Sequence, residues 1–257
     1  MRARFLAPFV ASALAGAIGG WALSTFVPGE WFPGGKPVEQ TSSSELEEKL
    51  RQFIQENPEV VADAARTLQE RRRASAKDEL AARISLRSDE IFDDSASPVG
   101  GNPTGDVTIV EFFDYNCPYC RKVVPTLIEI ERSDPKLRFV YKEFPILGPG
   151  SLFAARAALA SVRQGMYVEY HKAMMQSPGS ITDDRAIEIA ATVGLDVDRL
   201  KRDMEDPEIQ AAIERNLELA ATLGINGTPT FVAGTKMLVG AQPRKVIEDM
   251  IARARKQ

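Results

Sequence analysis

Cysteine and histidine are nearly absent from this chain: two cysteines and one histidine occur among 257 residues. Two cysteines cannot build a disulfide framework. Together with the lone His171 they also fall short of a closed structural zinc site unless two chains share the metal, so no metal is expected. A marked excess of one charge is missing as well. With 32 basic against 36 acidic residues and a net charge of -4, the chain offers no basis for nucleic-acid binding. No internal repeat points to a solenoid. What remains is the composition of an ordinary globule, 44% hydrophobic and 26% charged, long enough for one large domain and an accessory segment.

The two cysteines form one motif. Cys117-Pro118-Tyr119-Cys120 closes the segment Glu111-Phe-Phe-Asp-Tyr-Asn116, which reads as a strand running out into a helix. At a helix start this spacing puts the first thiol on the exposed opening turn and the second about one turn further in, within disulfide reach. A thiolate at Cys117 faces unpaired N–H groups and the positive end of the helix dipole, which lower its pKa. Pro118 suits the first helical position, where a missing N–H costs nothing. Cys117 is therefore the candidate attacking thiol and Cys120 the resolving one, and no cofactor is required beyond the redox-active Cys117/Cys120 disulfide. A structural disulfide over so small a ring would add only about 2 kcal/mol before strain is subtracted. An inert buried pair leaves Pro118 and Tyr119 at the junction unexplained.

The amino terminus carries a different signal. Arg2 and Arg4 precede an uncharged run of 23 residues from Phe5 to Val27, which at about 1.5 Å per residue is long enough to cross a bilayer core. Basic residues at the start favour a cytoplasmic amino terminus and send the rest outward, with Trp21, Trp31 and Phe32 bracketing the outer interface. Residues 1–28 are read as a signal-anchor, with a cleaved signal peptide and a soluble periplasmic protein as the alternative, because no clean small-residue cleavage pattern ends the run. Either reading places the dithiol in an oxidising compartment, the periplasm.

Residues 29–44, rich in Pro, Gly and Ser, read as a linker. Residues 45–96 read as a helical arm: Ser44 is the expected cap, and Leu46, Leu50, Phe53 and Ile54 recur at helical spacing. After the Asn57-Pro58 break the stripe continues through Val60, Val61, Ala64, Ala65 and Leu68. Such a stripe must be covered, by the main domain of the same chain or by other copies in a homo-oligomer, the reading adopted here. From residue 97 onward the pattern is strand (Val107 to Phe113), helix, strand (Leu137 to Phe144), a helical block over about 151–223 that includes a helix capped by Thr182, one from Asp198 and one opened by Pro207 and ending at Gly224, then strands at Thr230 to Val232 and Met237 to Val239, and a last helix after Pro243. That order describes an α/β domain with an all-helical insertion.

The chain at this point resembles the thioredoxin-fold thiol:disulfide oxidoreductases of the DsbA type. Three collinear segments carry the resemblance: Glu111 to Cys120, Tyr141-Lys-Glu-Phe-Pro-Ile146, and Gly227-Thr-Pro-Thr-Phe231. The resemblance implies a thioredoxin-like fold over residues 97–257. It also implies that Pro229 is a cis-proline and that residue 228 lies beside the disulfide to pair with an extended substrate. Glu111 and Lys142, on neighbouring strands, are expected beneath the buried cysteine, assisting its proton transfer, with a surface ion pair as the plain alternative. Two departures matter. Tyr119 stands where strong oxidases of the family carry His, so a less depressed Cys117 pKa and a weaker oxidant are expected, with Arg121 and Lys122 either compensating in part or simply solvated. Thr228 replaces their Val and resembles isomerase-type relatives. The pattern Leu50, Phe53, Ile54, Asn57, Pro58, Val60, Val61 is similar to the oligomerisation region of the ScsC-like branch.

The expected activity is a protein disulfide oxidoreductase acting on exported cysteine-containing proteins, as isomerase or reductase, or else as oxidase. A membrane redox partner would recharge the dithiol. The alternative is a membrane-tethered periplasmic chaperone or assembly factor whose dithiol is secondary.

Overall fold

The computed structural model describes residues 42–256. The hydrophobic segment 5–27 and nearly all of the linker lie outside the described residues. Among the described residues, no helix is long and apolar enough to cross a membrane.

The first helix, α1 (Ser43–Glu56), begins in a run of three serines, and it is Ser42 rather than the expected Ser44 whose hydroxyl accepts from the Glu45 N–H, at 3.3 Å. It ends at Asn57, whose backbone and side-chain N–H groups both donate to the Phe53 carbonyl at 2.9 and 2.8 Å. Pro58 then opens α2 (Pro58–Leu86), where a missing N–H is tolerated. Arg71 to Arg73 interrupt the apolar stripe of α2 but not the helix. Leu46, Leu50, Phe53, Ile54, Val60, Val61 and Leu68 are all exposed.

From the end of α2 the chain runs through α3 (Ser88–Phe92) into a five-stranded sheet of order β1-β3-β2-β4-β5, with β1 Val99–Gly101, β2 Val107–Phe113, β3 Leu137–Glu143, β4 Thr230–Ala233 and β5 Lys236–Val239. β2 and β3 are parallel and joined by the crossover helix α4 (Pro118–Ser133), as parallel pairing demands; the other pairings are antiparallel. Strand β1 was not expected. Two of its three residues are glycine, so it carries no hydrophobic pattern, and its strand geometry comes from pairing with Arg138 to Val140 of β3.

Strand alternation sorts side chains onto two buried faces. Ile109, Phe113, Phe139 and Tyr141 pack with Val123, Val124 and Leu127 of α4, and with α6 (Tyr167–Gln176) and α10 (Arg244–Ala254). Val110, Phe112, Val140 and Phe144 pack on the opposite face with Ile84, Ile91, Leu219 and Leu223. Burial on both faces is why β2 reads as a nearly continuous apolar run.

Between β3 and β4 lies the expected helical block: α5 (Pro149–Ser161), a single 3-10 turn, α6, α7 (Asp183–Val193), α8 (Val197–Asp203) and α9 (Pro207–Leu223). Helix α5 is buried around most of its circumference, and its Ala154, Ala155, Ala157, Ala158 and Ala160 are almost fully covered. Small side chains let its neighbours approach closely on several sides. Thr182 caps α7 and Gly224 ends α9 at φ 75°, both where the sequence places them. Helix α8 starts one residue earlier than the expected Asp198, because Asp196 supplies the cap, accepting from the Arg199 N–H at 2.9 Å.

Candidate active site

Strand β2 leaves the sheet at Phe113, and the turn that follows sets the dithiol. The Cys117 N–H donates to the Asp114 carbonyl at 3.0 Å, Cys117 becomes the N-cap of α4, and Pro118 takes the first helical position. Both cysteines are free thiols. Cys117 is less open than its place on a first turn implies: 4% of the residue is exposed, and Cys120 is fully buried. The cover comes from the loop before β4. The Thr228–Pro229 peptide is cis, and the Cys117 thiol donates to the Thr228 carbonyl oxygen at 3.2 Å. Cys117, Cys120, Thr228 and Pro229 are thus brought together, with Pro118 and Tyr119 between the thiols.

The two sulfurs differ sharply in acidity. A hydrogen bond from the Cys120 thiol lowers Cys117 to about 5, helped by the Thr228 side chain and the N–H groups of Cys120 and Tyr119, and against the effect of burial. Burial pushes Cys120 the other way, reinforced by its bond to Cys117 and by Glu111. Cys117 is depressed without any cation. Tyr119 is 61% exposed and brings no charge, and Arg121 is neither compensating nor solvated: its Nε donates to the Tyr115 carbonyl at 3.0 Å, and its guanidinium also reaches the Met174 and Gly179 carbonyls. Lys122 is exposed. The acidity of Cys117 comes from hydrogen bonds and the helix N-terminus.

Glu111 lies on the cysteine face of the sheet. It is buried, its Oε1 has no hydrogen-bond partner, and burial together with the charge of Cys117 raises it to about 8. The expected partnership with Lys142 does not exist. Register pairs Glu111 with Tyr141 and Phe112 with Lys142, so the lysine, one residue further along, points to the other face. There Lys142 is 1% exposed and donates to the Glu90 carbonyl at 2.7 Å and to Asp94 Oδ2 at 2.8 Å, so it is not a surface ion pair with Glu111 either.

Several residues that hold the site were not singled out in the sequence. Asp114 is buried and accepts four hydrogen bonds, from the Asn116 N–H and Ser151 hydroxyl at 2.7 Å each and from the Ile146 and Leu147 N–H groups at 2.9 and 3.0 Å. Asn116 in turn donates to the Ile181 carbonyl and accepts from its N–H. These bonds tie the cysteine turn to the loop after β3 and to the helical block. The Asp114–Asn116 contact is an Asx turn, a signal available in sequence because an aspartate two residues before a turn amide commonly makes it. A second buried cluster lies alongside: Tyr115 and Tyr167 both donate to Glu143 Oε1, at 3.0 and 2.8 Å, and the Tyr115 hydroxyl meets His171 Nδ1 at 3.1 Å. Among the described residues no group of side chains could hold a metal ion.

This geometry has relatives. A thioredoxin-like oxidoreductase from Silicibacter pomeroyi is 48% identical, covering 66% of this chain and 98% of its own, with a TM-score of 0.65. The catalytic domain of Proteus mirabilis ScsC is 26% identical, covering 69% and 99%, with a TM-score of 0.63. A Na(+)/H(+) antiporter, NhaA 3 of Salinispora tropica, is 29% identical over 135 residues, 52% of this chain but only 21% of the antiporter, so the chain spans about a fifth of that relative. The profile of the DSBA-like thioredoxin domain matches residues 108–252, from β2 through most of α10 and across the whole dithiol site, and the chain belongs to that family, on its ScsC-like side.

Proposed function

We propose that the chain exchanges disulfides with exported, cysteine-containing proteins in the periplasm, as an isomerase or reductase, held at the inner membrane by residues 5–27. The observation that carries this reading is the Cys117 sulfur, an acidic thiol at a helix N-terminus lying 3.2 Å from the Thr228 carbonyl. The Cys117 thiolate attacks one sulfur of a substrate disulfide, forming a mixed disulfide and releasing the other substrate sulfur as thiolate. Cys120 gives its proton to the Glu111 carboxylate and attacks the Cys117 sulfur. The second substrate thiolate leaves and the Cys117–Cys120 disulfide remains, so the substrate gains the two electrons that the dithiol loses. The backbone of Thr228, held by Pro229, pairs with the extended substrate beside the attacked bond.

Direction depends on what recharges the dithiol. A stabilised Cys117 thiolate favours the reduced form, which raises oxidising power; it also supplies the resting nucleophile that an isomerase needs. Tyr119 was expected to leave Cys117 less acidic, but the hydrogen bonds at the helix start lower it to about 5 without a cation, so the isomerase direction is supported by Thr228 alone, and a membrane redox partner that keeps the dithiol reduced completes it. Self-association is supported by the exposed apolar residues of α1 and early α2, among them Leu46 at 54% and Phe53 at 51% exposure.

The test is trapping. In a Cys120→Ala variant the mixed disulfide on Cys117 cannot be resolved, so substrates and the recharging protein accumulate as covalent adducts. Absence of Cys117-dependent adducts, together with no activity on scrambled ribonuclease or insulin, refutes the reading.

A further inference from the structure

The only histidine of the chain sits beside the redox site without a role in the exchange just described. His171 lies on α6, buried against Phe113, Tyr141 and Tyr167, with ring centroids 4.8, 4.6 and 5.8 Å away. Its Nδ1 is 3.1 Å from the Tyr115 hydroxyl, and that hydroxyl is 3.0 Å from Glu143 Oε1, which also receives Tyr167. A tyrosine has one proton to give. With that proton committed to Glu143, the Tyr115 oxygen can only accept from His171, which makes Nδ1 the protonated nitrogen and leaves Nε2 as an acceptor.

Close by, across a shared cavity, lies an unmet need. Glu111 Oε1 is buried and has no partner among protein atoms, a situation that costs roughly 1–3 kcal/mol if nothing satisfies it. Glu111, Tyr141 and His171 line one small cavity of 20 Å³, bordered by the Glu131–Lys172 ion pair. A single water needs about 10–15 Å³ and two or more polar partners. The cavity has room for one water, and its walls carry an orphaned carboxyl oxygen and an imidazole.

We propose that His171 is a positioning residue for the redox site: in its Nδ1–H tautomer it holds a single water against Glu111, giving that carboxyl a hydrogen-bond partner in both its protonated and its ionised form. One O–H of the water is committed to Nε2. Towards protonated Glu111 the water presents a lone pair; towards the carboxylate it presents its second O–H. Glu111 can then take the Cys120 proton and release it again without ever being left unpartnered. Burial pushes the Glu143 carboxyl well above the usual carboxylate range, while its Oε1 is the atom on which both Tyr115 and Tyr167 converge. The ionisable groups facing His171 are Tyr115, Tyr141, Tyr167 and Glu143, with Lys172 next in sequence; burial and Lys172 push the imidazole down to about 3, so it stays neutral. Those facing Glu111 are Cys117, Cys120, Tyr141 and Glu143.

The inference rests on the proposed exchange mechanism, and the tests separate the two. A protein with one histidine permits an unambiguous measurement: ¹⁵N NMR of the full chain is expected to show a neutral imidazole protonated at Nδ1 from about pH 5 to about pH 9. An Nε2–H tautomer, or titration within that range, overturns the proposal. In single-turnover exchange, His171→Phe is expected to slow resolution of the mixed disulfide about tenfold while leaving the attack by Cys117 within about twofold, and His171→Gln, which keeps an acceptor, recovers most of the loss. Resolution unchanged in His171→Phe also overturns it. Should His171→Phe fail to fold, the tautomer of the native chain decides alone. Activity persisting in Cys117→Ser would instead remove the exchange reading, whatever His171 does.

Discussion

The acidity of Cys117 can be tested by following its alkylation as the pH is lowered. Its pKa of about 5 means that half the thiol is still ionised at pH 5. An unperturbed thiol with a pKa of about 8.5 is ionised there to only about 0.03%, so the thiolate fractions differ by about 1,600-fold. Nucleophilicity falls with basicity, however, and a Brønsted slope of about 0.4–0.5 over about 3.5 pKa units takes back about 25- to 55-fold. The net expectation is iodoacetamide alkylation about 30- to 60-fold faster than a model thiol at pH 5, with near-equal rates at neutral pH and a plateau above about pH 6. Cys120 is buried and its pKa is raised, so it does not contribute to the signal. The linkage has a definite sign. Because the folded pKa is the lower one, the stabilisation of the reduced form is complete above the unfolded pKa of about 8.5 and is lost as pH falls through about 5; the disulfide form does not share it. An alkylation midpoint near 8.5 with no plateau below it would show that the hydrogen bonds from Cys120, Thr228 and the helix N–H groups do not act as described.

Three further outcomes follow from the contacts. Lys142→Met is expected to cost about 1–3 kcal/mol in denaturant unfolding, less than a fully buried pair because Asp94 keeps solvent contact and its bonds to Ser97 and Ala96, while the Cys117 titration stays where it is; a moved Cys117 midpoint contradicts the assignment of Lys142 to the opposite face. Asp114→Ala removes the acceptor of four donors around the cysteine turn and is expected to destabilise by about 3–5 kcal/mol, read by thermal or urea unfolding. Leu50→Glu with Phe53→Glu is expected to convert a sedimenting oligomer to monomer without altering the Cys117 titration, and a native chain that is already monomeric at micromolar concentration disproves the self-association.

Much of this architecture could be read in advance because the signals were local. The apolar run of β2, the cap at Thr182 and the stop at Gly224 each depend on a few neighbouring residues, and each appears in its expected place. The misplacements arise where several residues could do the same work, as with Ser42 and Ser44 or Asp196 and Asp198. Propensity cannot choose among them; the chain geometry at the cap does. Strand β1 and the Glu111–Lys142 pairing depend on something else, the register between strands distant in sequence. Adjacent strands and opposite charges made the pairing plausible, but a side-chain period of two means that one residue of register decides the face. The Glu143–Tyr115–His171 cluster was hidden for the same reason, since it joins β3, the cysteine turn and α6, three segments with no local signal in common.

With Lys142 removed from the site, the charges around the dithiol order its two chemical steps. In the reduced protein the Cys117 thiolate and the Glu111 carboxyl compete for one negative charge in a buried space, and the thiolate, held by hydrogen bonds, keeps it; Glu111 is raised to about 8 partly because Cys117 is charged. Once Cys117 is bound to a substrate sulfur its charge is gone. Only burial then opposes ionisation of Glu111, so its pKa falls and the carboxylate that can take a proton becomes available after the first step and not before it. Cys120, whose own pKa is raised in part by Glu111 and Cys117, needs a base only at that moment. Attack therefore precedes deprotonation of the resolving thiol, and Glu111→Gln is expected to slow resolution by about a hundredfold while leaving mixed-disulfide formation nearly unchanged, a split that rapid-quench trapping reads directly. Equal slowing of both steps would place Glu111 outside this sequence and leave the acidity of Cys117 as the only electrostatic contribution to the reaction.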